Sequence, residues 1–74
     1  MRIKIKLYAS LRWKLFDEAE WECDPGHDIA AIVEQLGLPR ADVGTVLVNG
    51  MHAAWEEPVR EGDVLALLPR MGGG

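Results

Sequence analysis

An α+β domain, with one main helix packed on one face of a mixed five-stranded sheet, is the fold class that three observations predict. Two strictly alternating stretches, 2–7 and 18–24, open the chain. A single amphipathic helical repeat follows at Ile29, Ile32, Val33 and Leu36. Three β-rich stretches come after it, two of them joined by Asn49-Gly50. Seventy-four residues make one domain, so one helix has to cover one face of one sheet.

In residues 2–7, Ile3, Ile5 and Leu7 face one way and Arg2, Lys4 and Lys6 the other, the pattern of a half-buried strand. The alternation breaks from Tyr8 to Phe16, a wide connection with room for a helical turn. In 18–24, Ala19, Trp21 and Cys23 point inward while Glu18, Glu20, Glu22 and Asp24 point out. Antiparallel pairing of the two stretches sets glutamates opposite Lys4 and Lys6. Such cross-strand charge pairs stabilise by roughly 0.2–1 kcal/mol each.

Pro25-Gly26 is a turn. Asp28 is placed to accept from the free amides of a first helical turn. The apolar repeat predicts a helix of about nine residues. Gly37 suits a left-handed end and Pro39 prevents continuation. A helix this short is marginal alone, so it has to lie on the sheet. Val43 to Val48 is β-rich. Asn49-Gly50 favours positive φ at both central turn positions, with Met51 to Trp55 as the return strand. Glu56 to Arg60 is irregular. Glu61-Gly62-Asp63 turns the chain into Val64–Leu68, which is apolar on both faces. One of those faces goes to the core, and the other is covered or is a docking surface. First and last strands, far apart in sequence, are then both central and parallel. This is the β-grasp, or ubiquitin-like, arrangement.

The composition narrows the function. The hydrophobic fraction of 49% and the charged fraction of 27% are those of an ordinary globular chain. A net charge of −4 argues against a nucleic-acid partner. Cys23 is the only cysteine, so an intramolecular disulfide is excluded. The N-terminal stretch alternates Lys with apolar residues and lacks a signal peptide's apolar run. No stretch is long enough to span a bilayer. A cytoplasmic protein without a membrane partner is the expectation.

The chain divides into a body, 1–69, and a tail, 70–74, reading Arg70-Met71-Gly72-Gly73-Gly74. Three terminal glycines carry no Cβ. The tail is expected to be mobile and fits a slot too narrow for side chains. Five extended residues span at most roughly 17 Å, enough to carry a carboxylate from the body into a partner's active site.

Several segments together resemble a known family. They are Leu7-Tyr8-Ala9-Ser10-Leu11-Arg12, Val48-Asn49-Gly50, Glu61-Gly62-Asp63-Val64, and Ala66-Leu67-Leu68-Pro69 before the glycine run. In this order and spacing the chain is similar to sulfur carriers of the MoaD/ThiS type, the small subunit of molybdopterin synthase and its relatives. The Tyr-Ala-Ser-Leu-Arg segment is closer to the molybdopterin branch than to the thiamin branch. The family usually ends in two glycines and this chain in three. Arg70-Met71 stands where an apolar or small pair is more usual.

The resemblance implies that the chain is not an enzyme but a carrier or the small non-catalytic subunit of a synthase, with no cofactor bound. An adenylating, E1-like partner would join the Gly74 carboxylate to AMP using ATP. Sulfur from a donor protein would then give a C-terminal thiocarboxylate, delivered to a sulfur-accepting synthase subunit. Gly72 and Gly73 would thread the slot, with Met71 and Pro69 in the same partner-facing segment. Arg70 would pair at its mouth, and Leu68 would help hold the body. A ubiquitin-like modifier joined through Gly74 to lysines, and a plain β-grasp interaction domain, are the alternatives.

The remaining candidates have plainer readings. Cys23 lies among glutamates that raise its pKa, and reads as a structural core thiol. Cys23, His27 and His52 form no four-ligand pattern, so no metal is expected. His27 reads as solvated. Trp13 and Trp55 are either partner anchors or cover for the edge of a thin core.

Overall fold

The computed structural model describes residues 1–70. Strand β1 (Arg2–Leu7) leads through a 3-10 turn (Ala9–Lys14) into β2 (Glu18–Glu22). Helix α1 (Ile29–Leu36) follows, then a second 3-10 turn (Arg40–Asp42), β3 (Val43–Val48), β4 (Met51–His52) and β5 (Val64–Pro69). The strands form one sheet in the order β2-β1-β5-β3-β4. β1 and β5 are parallel and central, and their other pairings are antiparallel.

The alternation in β1 and β2 fixes their register. Lys4 faces Glu20, Lys6 faces Glu18 and Arg2 faces Glu22. The Lys4 ammonium lies diagonally 3.3 Å from Glu18. On the other face Ile3, Ile5 and Leu7 are buried. Ile29, Ile32, Val33 and Leu36 of α1 join them, with Leu65 and Leu67 of β5 wholly inaccessible between. The carboxylate of Asp28 accepts from the Ala31 amide at 2.8 Å and caps the helix. Gly37 ends it at φ 78°. Asn49 and Gly50 adopt φ of 53° and 84°, as a primed hairpin turn requires.

Three expectations need correction. β2 ends at Glu22, short of Asp24; the Cys23 amide makes the last bond of the β1–β2 pairing, to the Met1 carbonyl at 2.8 Å. β4 spans only Met51–His52 and does not reach Trp55. The segment beyond it is captured by the helix instead. The Trp55 and Glu57 carbonyls accept from the Ala30 and Ile29 amides, each at 3.0 Å. These satisfy donors that the first helical turn leaves open. His27 is half-buried, with Nδ1 buried and unpartnered among the described residues, and is not a solvated residue.

Candidate functional site

β5 runs through the middle of the sheet and carries the chain out at Arg70. Its end is held from three sides. The Tyr8 amide donates to the Leu67 carbonyl at 3.2 Å, tying the first 3-10 turn to the strand. Val43 pairs with Pro69, and the Arg70 amide donates to the Asp42 carbonyl at 3.1 Å. The Asp42 carboxylate accepts from Lys14 Nζ at 2.8 Å, which joins the two 3-10 turns beside the tail's root. Together Ser10, Leu11, Lys14, Ala41, Asp42, Pro69 and Arg70 line an open cleft there.

The pairing of β3 with β5 is irregular at this end. Val43 lies opposite Pro69 and Thr45 opposite Leu68, so Gly44 is the extra residue of a bulge. A Cβ on Gly44 would lie 2.7 Å from Arg70 Cα and 2.9 Å from the Pro69 carbonyl oxygen. Gly44 is not among the glycines at positive φ, so close approach, not backbone freedom, is what its bare Cα provides.

The sheet face away from α1 is apolar at its centre. Alternation puts Val64, Ala66 and Leu68 of β5 on it, with Leu47 and Thr45 of β3 opposite Ala66 and Leu68. Ala66 is buried by its neighbours, and the other four are half-buried. Lys4 and Lys6 flank the patch on β1, and His52 flanks it on β4. No helix of the described residues other than α1 and the two short 3-10 turns exists to cover it. Near the tail's root the first 3-10 turn exposes Trp13 to 81%, with Tyr8 and Leu15 also exposed.

Of the tail residues named from the sequence, Leu68 and Pro69 are half-buried on β5 and Arg70 is exposed. The structure brings these three to one end of the sheet. Met71, Gly72, Gly73 and Gly74 lie outside the described residues. Cys23 is buried, and burial first, then the charges of Glu22, Asp24 and Glu61, pushes its thiol pKa up. Cys23 follows β2 and His52 lies on β4, at opposite sheet edges. Among the described residues no three His, Cys, Asp or Glu side chains gather as a metal site. Trp55 packs on the core beneath the Arg40 guanidinium, 4.7 Å from its ring centre, so only Trp13 remains as an exposed anchor. No helix of the described residues is long and apolar enough to cross a membrane.

Sequence reasoning missed Gly44, Asp42 and Lys14. A glycine inside a strand pattern signals a bulge or a close backbone approach, and that signal was present in Val43-Gly44-Thr45. The Lys14–Asp42 pair joins residues 28 apart in sequence and left no local trace.

A family model described as the ThiS family matches residues 5–74. No curated protein matches the sequence. Among solved structures, SAMP1 from Haloferax volcanii is 26% identical with a TM-score of 0.81, over 100% of both chains. A putative molybdopterin converting factor subunit 1 from Pyrococcus furiosus is 22% identical with a TM-score of 0.79, over 96% of this chain and 99% of that one. The complex of subunits 1 and 2 of molybdopterin-converting factor from Helicobacter pylori is similar with a TM-score of 0.63 and 20% identity, over 100% of both chains. The last two likenesses establish the ubiquitin-like β-grasp fold.

Proposed function

The chain belongs to the ThiS family, and on that premise we propose that it is a sulfur carrier for cofactor biosynthesis, molybdopterin or tungstopterin in preference to thiamin. The observation that carries the reading is the continuity of a central, rigidly held strand, β5, with a sequence ending in three glycines. A carboxylate is a poor electrophile. Joining it to AMP at the expense of ATP, with pyrophosphate released, supplies a good leaving group. A sulfur nucleophile from a donor protein attacks the Gly74 carbonyl and AMP departs. Where the nucleophile is a persulfide, a second thiol then cleaves the acyl disulfide to free the thiocarboxylate. Holding that sulfur on a short tether raises its effective concentration at the acceptor.

The body's part is docking. The apolar patch of Leu47, Val64, Ala66 and Leu68 and the exposed Trp13 are the surfaces offered to the adenylating enzyme and to the sulfur-accepting synthase subunit. Arg70 pairs at the mouth of the partner's slot, which Gly72 and Gly73 thread. The subunit 1–subunit 2 complex of the Helicobacter pylori factor supports a synthase partner of this kind. Removing Gly73 and Gly74 should abolish sulfur loading and leave the thermal midpoint within about 4 °C, since surface changes rarely exceed about 0.5 kcal/mol. A truncated chain that still accepts sulfur would sink the proposal.

A second reading, a ubiquitin-like modifier, is favoured by the likeness to SAMP1, the small archaeal modifier protein 1 of Haloferax volcanii. In it the same acyl adenylate meets a lysine amine, giving an isopeptide. Slower-migrating conjugates in cell extract, lost with the terminal glycines, are its signature.

A further inference from the structure

We propose that Gly44 is a positioning residue for Arg70, at the root of the glycine-bearing segment: its bare Cα lets the chain leave β5 pressed against β3, where the Asp42 carbonyl takes the Arg70 amide. The inference rests on the carrier reading above and deepens it. Three observations on different residues converge at Arg70. The β3 bulge places Gly44 beside it, with an added Cβ 2.7 Å from Arg70 Cα and 3.1 Å from Arg70 N. The Arg70 amide is spent on the Asp42 carbonyl at 3.1 Å. Asp42 is itself held by Lys14 at 2.8 Å.

A methyl at position 44 cannot be absorbed by a side-chain rotation, because the three atoms nearest to it are all backbone. Arg70 Cα has to retreat by about 0.7 Å, from 2.7 Å to ordinary contact near 3.4 Å. That movement strains or breaks the Arg70–Asp42 bond. On the carrier reading Arg70 stands at the mouth of the partner's slot, so a displaced Arg70 presents the segment beyond it from the wrong place. Misplacement of a reacting group by 1 Å can cost about 100-fold in rate. The core is not involved: Gly44 is exposed, and the buried face of the sheet lies on other residues of β3 and β5.

The test compares the full-length chain with its Gly44→Ala variant as substrates of the adenylating enzyme from the same cell, with ATP and sulfide. Folding is checked by thermal melting. For the variant, kcat for thiocarboxylate formation should fall about tenfold or more, with KM within about threefold because the apolar patch and Trp13 are untouched. Amide exchange at Arg70 should accelerate while Leu65 and Leu67 keep their protection. Equal kcat values overturn the proposal. A raised KM with unchanged kcat also overturns it, making Gly44 part of a docking face. So does a variant that fails to fold, which would assign Gly44 to the sheet. One measurement needs no variant: an Arg70 amide that exchanges in the parent chain as fast as a free peptide overturns the clamp directly. Failure of the parent chain itself to gain sulfur is a different result, and removes the carrier reading instead.

Discussion

The Arg70 amide donates to the Asp42 carbonyl across 3.1 Å, one residue beyond the last strand. The body therefore grips the chain at the point where the glycine-bearing segment begins. Lys14 reaches the carboxylate of the same Asp42. Lys14→Met should change stability by no more than about 1 kcal/mol, as exposed ion pairs do, yet speed amide exchange at Arg70. Unchanged exchange would show that Asp42 is held by its backbone alone.

The helix cap is a separable test of the fold. Asp28→Ala removes the acceptor for the Ala31 amide and should cost about 1 kcal/mol. For a domain of this size that lowers the thermal midpoint by roughly 4–8 °C. Sulfur loading at low temperature should be unchanged, because the helix lies on the sheet face away from the apolar patch proposed for docking. A loss of loading without a loss of stability would contradict that division.

Adjacent residues of β5 should behave oppositely. Leu67 is wholly buried, and Leu67→Ala should cost roughly 2–5 kcal/mol. A core this small typically supplies about 3–5 kcal/mol net, so that variant should be largely unfolded at 37 °C by circular dichroism. Leu68 is half-buried on the opposite face. Leu68→Ala should melt as a folded protein and show its defect as a raised KM with the adenylating enzyme.

Much of this was legible because the chain is locally consistent. The lysines of β1 and glutamates of β2 name each other's register, and Asp28, Gly37 and Asn49-Gly50 each sit where their backbone preference demands. What escaped was decided by distant partners. The return strand stopped at His52 because the Trp55 and Glu57 carbonyls were claimed by helix amides from a segment 25 or more residues earlier. Trp13 and Trp55 look alike in sequence, but only Trp55 found a core edge and the Arg40 guanidinium to cover. The tail's root followed the same rule. The place of Leu68, Pro69 and Arg70 at the end of the last strand was legible, whereas the bulge at Gly44 and the Lys14–Asp42 pair depend on which strand end meets which turn.

Cys23 should be slow to react. Burial, and then the neighbouring acidic charges, hold its folded pKa above the ordinary value, while the Met1 ammonium opposes them. The neutral thiol is thus favoured in the folded chain, and the unfolded chain ionises first. This contribution to stability is complete below the unfolded pKa and is lost as pH rises through the folded one. Alkylation at neutral pH should be much slower in the native chain than in denaturant, and melting points should decline at strongly alkaline pH less steeply for Cys23→Ala. Equal alkylation rates in the two states would contradict the burial.

Trp13 is exposed to 81%. Trp13→Ala should shift stability by less than about 0.5 kcal/mol. If the turn is a docking point, the variant should lose about tenfold or more in KM for loading, the scale of an interface anchor. A variant with parental kinetics would leave Trp13 as an ornament of the surface and confine docking to the sheet.

The central claim is that sulfur is carried on the terminal carboxylate. The most direct measurement is the intact mass of the untagged chain after incubation with its adenylating enzyme, ATP and sulfide, followed by mass analysis of the C-terminal peptide. The expected result is a gain equal to one oxygen replaced by sulfur, located on Gly74 and absent without ATP. A C-terminal peptide that carries only oxygen, while the enzyme demonstrably forms the acyl adenylate, would contradict it.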